Sequence, residues 1–114
     1  MKFENISEDV LDRIAYRFKL LGEPMRLRII KTLRNGEQCV QDLVEATGAG
    51  QANVSKHLRM LSDEGVINRR KEGLYVYYSI ADEGLIAICN QMCTSLQDQM
   101  DAMHQAFNSQ KGNE

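Results

Sequence analysis

Cys89 and Cys93 stand four residues apart in the stretch "CNQMC". Two thiols at that spacing lie one helical turn apart. Their Cβ atoms would be about 5–6 Å from each other, beyond the roughly 3.5–4.5 Å that a disulfide spans. A direct intrahelical disulfide would strain the helix. A bridge through an extra atom fits better, because two thiolates on one soft centre sit about 3.8 Å apart and a polysulfide link is longer than a disulfide. The chemistry on offer is therefore a thiol switch responding to reactive sulfur, oxidants or arsenite. The competing reading is that the thiols pack beside Met92 as small hydrophobes. Cys39, the third cysteine, stands alone at a helix start, where it is either a reactive thiol or a small packing residue, and packing is the commoner case.

A second constellation lies in "QANVSKHLRM". Gln51, Asn53, Ser55, Lys56 and His57 are the side-chain types that meet base edges and phosphates. Asn and Gln pair with adenine through two hydrogen bonds, Lys reaches guanine or phosphate, and Ser serves either. Arg59 follows on the same helix, and Arg69, Arg70 and Lys71 put three cations beside Gly73. Cations on a protruding turn suit the phosphate backbone, which positions a protein without reading sequence. His57 is open to two roles, structural or DNA-facing. A solvated charged face is the plain alternative for both groups.

The elements that carry these residues follow from periodicity. Val10, Leu11, Ile14, Ala15, Phe18 and Leu21 share one helical face over residues 8–21, with Glu8 and Asp9 in the first turn. Pro24 opens a second helix that Asn35-Gly36 ends. A short third helix runs from about Val40 to Gly48. A fourth resumes in "QANVSKHLRMLSDEG", with Val54, Leu58 and Leu61 as its apolar face. Two helices on a tight Gly-rich turn form a helix-turn-helix. "VINRRKE" and "LYVYYSIA" are β-branched and aromatic, and they predict a hairpin about Gly73. From Asp82 a long helix carries Leu85, Ile88, Met92, Leu96, Met100, Met103 and Phe107 at threes and fours. The fold expected is mainly α with a small β-hairpin: a winged helix-turn-helix of order α-α-α-α-β-β-α, paired as a dimer through its terminal helices. Residues 1–107 make one DNA-binding and dimerisation domain, and 108–114 a flexible tail.

Charge is uneven along the chain. The net formal charge is −2, yet residues 51–72 carry net +2 and residues 73–114 net −4. A local basic patch on a mildly acidic protein grips a polyanion through one face only. No run approaches the roughly 18 apolar residues of a membrane span, and "MKFENISEDV" lacks the order of a signal peptide. Three cysteines without framework spacing fit a reducing compartment, so the cytoplasm is expected. No Gly-rich phosphate loop, nucleophile elbow or His-Glu metal motif appears, so no enzyme is expected. A winged module that had lost DNA binding and served protein interaction would show a neutral wing and an apolar reader face, the reverse of this chain.

Nearly the whole chain, from about residue 10 to 100, resembles the ArsR/SmtB family of small dimeric winged-helix repressors. "LGEPMRLRII" is similar to the family's second-helix opening, "GEQCVQDL" to its metal-box segment, "QANVSKHLRML" to its recognition helix and "RRKEGLYVYYSI" to its wing. The resemblance implies a homodimer that binds an inverted-repeat operator in its own promoter and leaves it when an inducer binds. Two departures bear on metals. Cys39 fills the first cysteine position of the metal box, but Gln41 stands at the second. The family's terminal-helix zinc ligands fall on Asp82, Gly84, Ser95 and Asp98, which leaves no imidazole, and zinc-type sites want nitrogen and sulfur donors. No metal site is assigned with those residues; arsenite or another soft ion at Cys89 and Cys93 is the candidate ligand. The antiparallel pairing that the resemblance implies sets Cys89 close to the dimer axis, with Cys93 one turn away. A regulator with structural cysteines and an inducer bound elsewhere is the alternative.

Overall fold

The computed structural model describes residues 1–112. After a short 3-10 turn at Phe3–Asn5, the order is α1 (Glu8–Leu21), α2 (Pro24–Leu33), β1 (Gln38–Cys39), α3 (Val40–Thr47), α4 (Gln51–Asp63), β2 (Ile67–Glu72), β3 (Tyr75–Ile80) and α5 (Glu83–Gly112). Residues 1–81 form one compact unit, and the segment beginning at Asp82 forms another.

Local chemistry sets the boundaries in the first unit. Ser7 caps α1 by accepting a hydrogen bond from the Val10 amide at 3.3 Å, and Glu8 and Asp9 complement the helix dipole. Glu23 caps α2 through its carboxylate, which accepts from the Arg26 amide at 3.2 Å. Pro24 takes the first helical position, where no amide is needed. Gly48, at φ 71°, closes α3 in the left-handed region. The end of α4 is a Schellman turn: Val66 N–H donates to the Leu61 carbonyl and Gly65 N–H to that of Ser62, both at 3.0 Å, with Gly65 at φ 78°.

The wing is a hairpin in which Ile67 pairs with Ile80 and Glu72 with Tyr75. Gly73 and Leu74 alone make the turn, with Gly73 at φ 60°. A left-handed residue at the first central position matches the twist of the flanking strands and favours glycine. β1 adds a third strand that the sequence did not announce: Gln38 pairs with Tyr78 and Cys39 with Tyr77, giving the antiparallel order β1-β3-β2. At two residues β1 is too short to show alternation.

The core of this unit joins Leu20, Leu21, Ile29, Ile30, Leu33, Leu43, Val54, Leu58, Leu61, Val66, Ile67 and Tyr78, all buried. Each fully buried aliphatic side chain contributes about 1.5–3 kcal/mol. α2 sits centrally, packing on α1, α3 and α4, while α4 also packs on α3 and β2.

In the second unit, α5 continues to Gly112. The tail expected from residue 108 is thus helical as far as that residue, and 113–114 lie outside the described residues. Side chains one turn apart support the polar end: Gln97 Nε2 donates to Asp101 Oδ1 at 2.8 Å, and Asn108 Nδ2 lies 3.1 Å from His104 Nε2. Leu85 and Ile86 are buried, whereas Ile88, Met92, Leu96, Met100, Met103 and Phe107 are exposed. No helix among the described residues is long and apolar enough to cross a membrane.

Candidate nucleic-acid interface

The helix-turn-helix consists of α3, the turn 48–50 and α4. Val54, His57, Leu58 and Leu61 form the buried face of α4 at the i, i+3, i+4, i+7 spacing. Gln51, Asn53, Ser55, Lys56 and Arg59 are exposed on the rest of its circumference. At about 100° per residue, Lys56 and Arg59 lie opposite the core, Ser55 and Asn53 lie on its two sides, and Gln51 stands in the first turn at the edge of the exposed arc. The arrangement gives one helix a hydrophobic anchor and a polar reading face. His57, for which the sequence leaves a structural and a DNA-facing role open, is only 7% exposed and belongs to the buried face of α4, apart from the exposed polar set.

The inward position of His57 has a specific cause. Arg26 on α2 donates from Nε to His57 Nδ1 at 3.1 Å. His57 Nε2 lies 3.9 Å from a carboxylate oxygen of Glu23. Burial pushes the imidazole below its ordinary pKa, Glu23 opposes that shift, and Arg26 and Lys56 reinforce it. At its far end α4 is held by Arg17 of α1, whose Nη2 donates to the Glu64 carbonyl at 3.0 Å. The same guanidinium lies 3.6 Å from the Glu64 carboxylate. A cation at a helix C-terminus satisfies an orphan carbonyl and complements the dipole.

The three wing cations divide by strand alternation. Arg69 pairs across the ladder with Tyr78 and Lys71 with Val76, while Arg70, between them, pairs with Tyr77 and so faces the other side. Arg69 and Arg59 line one cleft of about 320 Å³ with Ser62, Asp63 and Tyr78. The structure thereby brings a recognition-helix arginine and a wing arginine to the same surface. Arg59 is itself 3.9 Å from Asp63, an exposed pair one turn apart that adds little stability.

Arg70 lies over the Tyr77 ring, 4.8 Å from its centroid. It reaches Glu37 through Nε at 3.1 Å and Nη2 at 2.7 Å, and pairs with Glu72 through Nη1. Hydrogen bonds from Arg70 hold the Glu37 carboxyl below the usual carboxylate range. The guanidinium is in turn held further above its already high value by Glu37 and then Glu72. No local sequence pattern signals this staple, whose ends lie 33 residues apart.

The thiols differ in setting. Cys39 forms the start of α3, where its amide and its Sγ both donate to Asp42 Oδ2 at 3.1 Å. The Cys39 amide first, and then the thiol, keep the Asp42 carboxyl below its ordinary value. Cys89 is half-buried and Cys93 exposed, both on α5. Asp82 uses Oδ1 to accept from the Leu85 amide at 3.1 Å, at the start of α5. Among the described residues no three His, Cys, Asp or Glu side chains are grouped to hold a metal ion.

A Gly-hinged helix pair with a polar outer face, followed by a basic hairpin, defines a winged helix-turn-helix DNA-binding protein. The family described as "Bacterial regulatory protein, arsR family" matches residues 23–69. A transcriptional repressor SmtB homolog of Synechocystis sp. is 34% identical over 95 residues, 83% of this chain and 72% of that protein. The arsenical resistance operon repressor of Bacillus subtilis is 32% identical over 81 residues, covering 70% of this chain and 77% of its own length. Among solved structures, a homodimeric winged helix-turn-helix DNA-binding domain from Mycobacterium bovis superposes with a TM-score of 0.74 at 28% identity. That match covers 84% of this chain and 92% of the domain. This chain belongs to the ArsR family of DNA-binding transcriptional repressors.

Proposed function

We propose that residues 1–107 act as one DNA-binding and dimerisation domain that represses transcription from a pseudo-palindromic operator. α4 enters the major groove with Gln51, Asn53, Ser55 and Lys56 toward the bases. Arg59, Arg69 and Lys71 engage phosphates, and Arg70 joins them only by exchanging carboxylate for phosphate. The observation that carries this reading is the split of α4 into a buried apolar face and an exposed polar one. Homodimerisation is supported by the apolar side chains that α5 leaves exposed and by the homodimeric state of the Mycobacterium bovis domain.

Release of the operator runs through Cys89 and Cys93. Their positions one turn apart on α5, half-buried and exposed, suit a bridge through an added atom. With a polysulfide such as H2S3, the two thiols lose their protons and two electrons, one sulfane sulfur enters as the bridge of a trisulfide, and the cleaved S–S bonds leave as two hydrogen sulfides. Peroxide supplies no bridging sulfur and instead takes a thiol to sulfenic acid with release of water. A soft ion such as arsenite is the second reading, favoured by the resemblance to an arsenical resistance repressor. Two thiols fit such an ion as part of a ligand set, and the described residues supply no group of three. Cys39, engaged with Asp42, is dispensable. The protein works in the cytoplasm on this reading.

Operator binding by wild type, Cys89→Ser and Cys93→Ser, each with and without polysulfide, peroxide and arsenite, tests the release mechanism. Wild type should leave the DNA under at least one treatment, and both variants should stay bound. If no treatment releases wild type, or if both variants are still released, the cysteines are packing residues.

A further inference from the structure

Arg26 of α2 commits its whole guanidinium beside the recognition helix, on the flank of α4 that carries His57 and Met60. Its three guanidinium nitrogens each find a different partner. Nε donates to His57 Nδ1 at 3.1 Å, Nη1 to the Leu20 carbonyl at 2.9 Å and Nη2 to Met60 Sδ at 3.3 Å. Leu20 is in the last turn of α1, whose terminal carbonyls lack intrahelical partners. His57 and Met60 are three apart on α4 and so share one flank of it. The Arg26 backbone is itself fixed by the Glu23 cap at 3.2 Å. One residue of α2 therefore ties the end of α1 to the side of α4.

We propose that Arg26 is a positioning residue for operator discrimination: through a neutral His57 and Met60 it sets the rotation of α4 in the groove without touching DNA. The inference rests on the reading of α4 as the DNA-recognition helix. A side chain that turns α4 displaces the exposed Gln51 and Asn53 relative to base edges, while phosphate contacts from long, flexible lysine and arginine side chains adjust. Discrimination is thus more sensitive to Arg26 than non-specific affinity is.

The dependence on His57 has a chemical sign. As acceptor from Arg26, Nδ1 carries no proton, so the neutral ring bears it on Nε2, toward Glu23. A second proton would put an N–H donor against the Arg26 N–H and set two cations side by side. The charged groups acting on the ring are Glu23 and Arg26 of α2 and Lys56 of α4. Lys19 and Tyr16 of α1 line the open cleft of about 420 Å³ beside Arg26 and Met60, which gives the displaced guanidinium room to leave. His57 is pushed below its ordinary 6.5 chiefly by burial. Between that value and the lowered one, falling pH protonates the unfolded chain before the folded one. The contribution of neutral His57 is thus complete above 6.5 and is lost as pH falls through the lowered folded value.

The test uses the full-length protein, the tightest duplex it selects from a random-sequence pool, and a scramble of that duplex. The ratio of the two affinities is measured across about pH 5 to 8, where histidine titrates. In wild type the ratio should fall about tenfold on acidification, the size expected for loss of a hydrogen bond to a charged group, while affinity for the scramble holds or rises. His57→Asn keeps an acceptor near Nδ1 and cannot be protonated, so its ratio should stay flat with pH. Arg26→Gln, checked for a cooperative thermal melt, should hold the ratio about tenfold below the wild-type value at neutral pH and flat with pH, meeting wild type at the acid end. An unchanged ratio in a folded Arg26→Gln, or the same pH profile in His57→Asn as in wild type, overturns the proposal. If wild type selects no duplex at all, the reading of α4 as a DNA-recognition helix fails and the proposal falls with it. Discrimination by both wild type and Arg26→Gln removes the Arg26 inference alone.

Discussion

Arg70 on the wing and Glu37 ahead of β1 are joined by two hydrogen bonds, 3.1 Å from Nε and 2.7 Å from Nη2. Glu72 takes Nη1, and Tyr77 lies beneath the guanidinium. A fork geometry of this kind matches carboxylate as well as it matches phosphate, so Arg70 comes to DNA already engaged.

Arg70 is therefore expected to contribute less to DNA affinity than Arg69 or Lys71. Arg70→Ala should weaken binding to all sequences alike, but by a smaller factor than Lys71→Ala. Glu37→Gln, which frees the guanidinium from one carboxylate, should tighten non-specific binding and steepen the salt dependence by about one unit per protomer, or about two for the dimer, in log K against log salt. Binding isotherms over a salt series check both.

The reader positions separate from the phosphate positions by their specificity. Gln51→Ala and Asn53→Ala should each cost about 1–3 kcal/mol on the operator and little on unrelated duplexes. Competition titrations measure the difference. If both variants keep full discrimination, the reading face lies elsewhere on α4.

Leu58 shows no solvent exposure and anchors the face of α4 opposite Lys56 and Arg59. Leu58→Ala should destabilise the fold by about 2–5 kcal/mol. Urea unfolding followed by circular dichroism should show a lower midpoint with an unchanged slope.

α5 leaves Met92, Leu96, Met100 and Met103 at 63%, 53%, 56% and 73% exposure, a stripe that calls for a partner. Sedimentation at low micromolar concentration should give a dimer. A well-folded monomer there would leave the stripe unexplained.

Much of this was legible in the sequence because caps and periodicity are local. Pro24, Gly48, Gly65 and Gly73 each mark a boundary that the structure keeps, and Val54, Leu58 and Leu61 define the inner face of α4. β1 was not legible, because two residues carry no period. Neither were the long-range polar contacts. His57 pairs with Arg26 across 31 residues and Arg70 with Glu37 across 33, and nothing in either local pattern names its partner. His57 has the side-chain type of a reader, but its spacing from Val54 and Leu61 places it on the buried side. The end of α5 is another case: the polar sequence from residue 108 reads as a tail, yet the helix runs to Gly112, with i, i+4 side-chain pairs along it as far as Asn108.

The central claim is that the exposed face of α4 and the wing of a dimer read a two-fold DNA site. Hydroxyl-radical footprinting on the DNA upstream of the protein's own coding sequence tests it most directly, with affinity followed against salt. The account predicts two protected half-sites about one helical turn apart, with steep salt dependence and loss of the footprint in Gln51→Ala/Asn53→Ala. Binding that is indifferent to sequence at every salt concentration, or a footprint unchanged in that double variant, would contradict it.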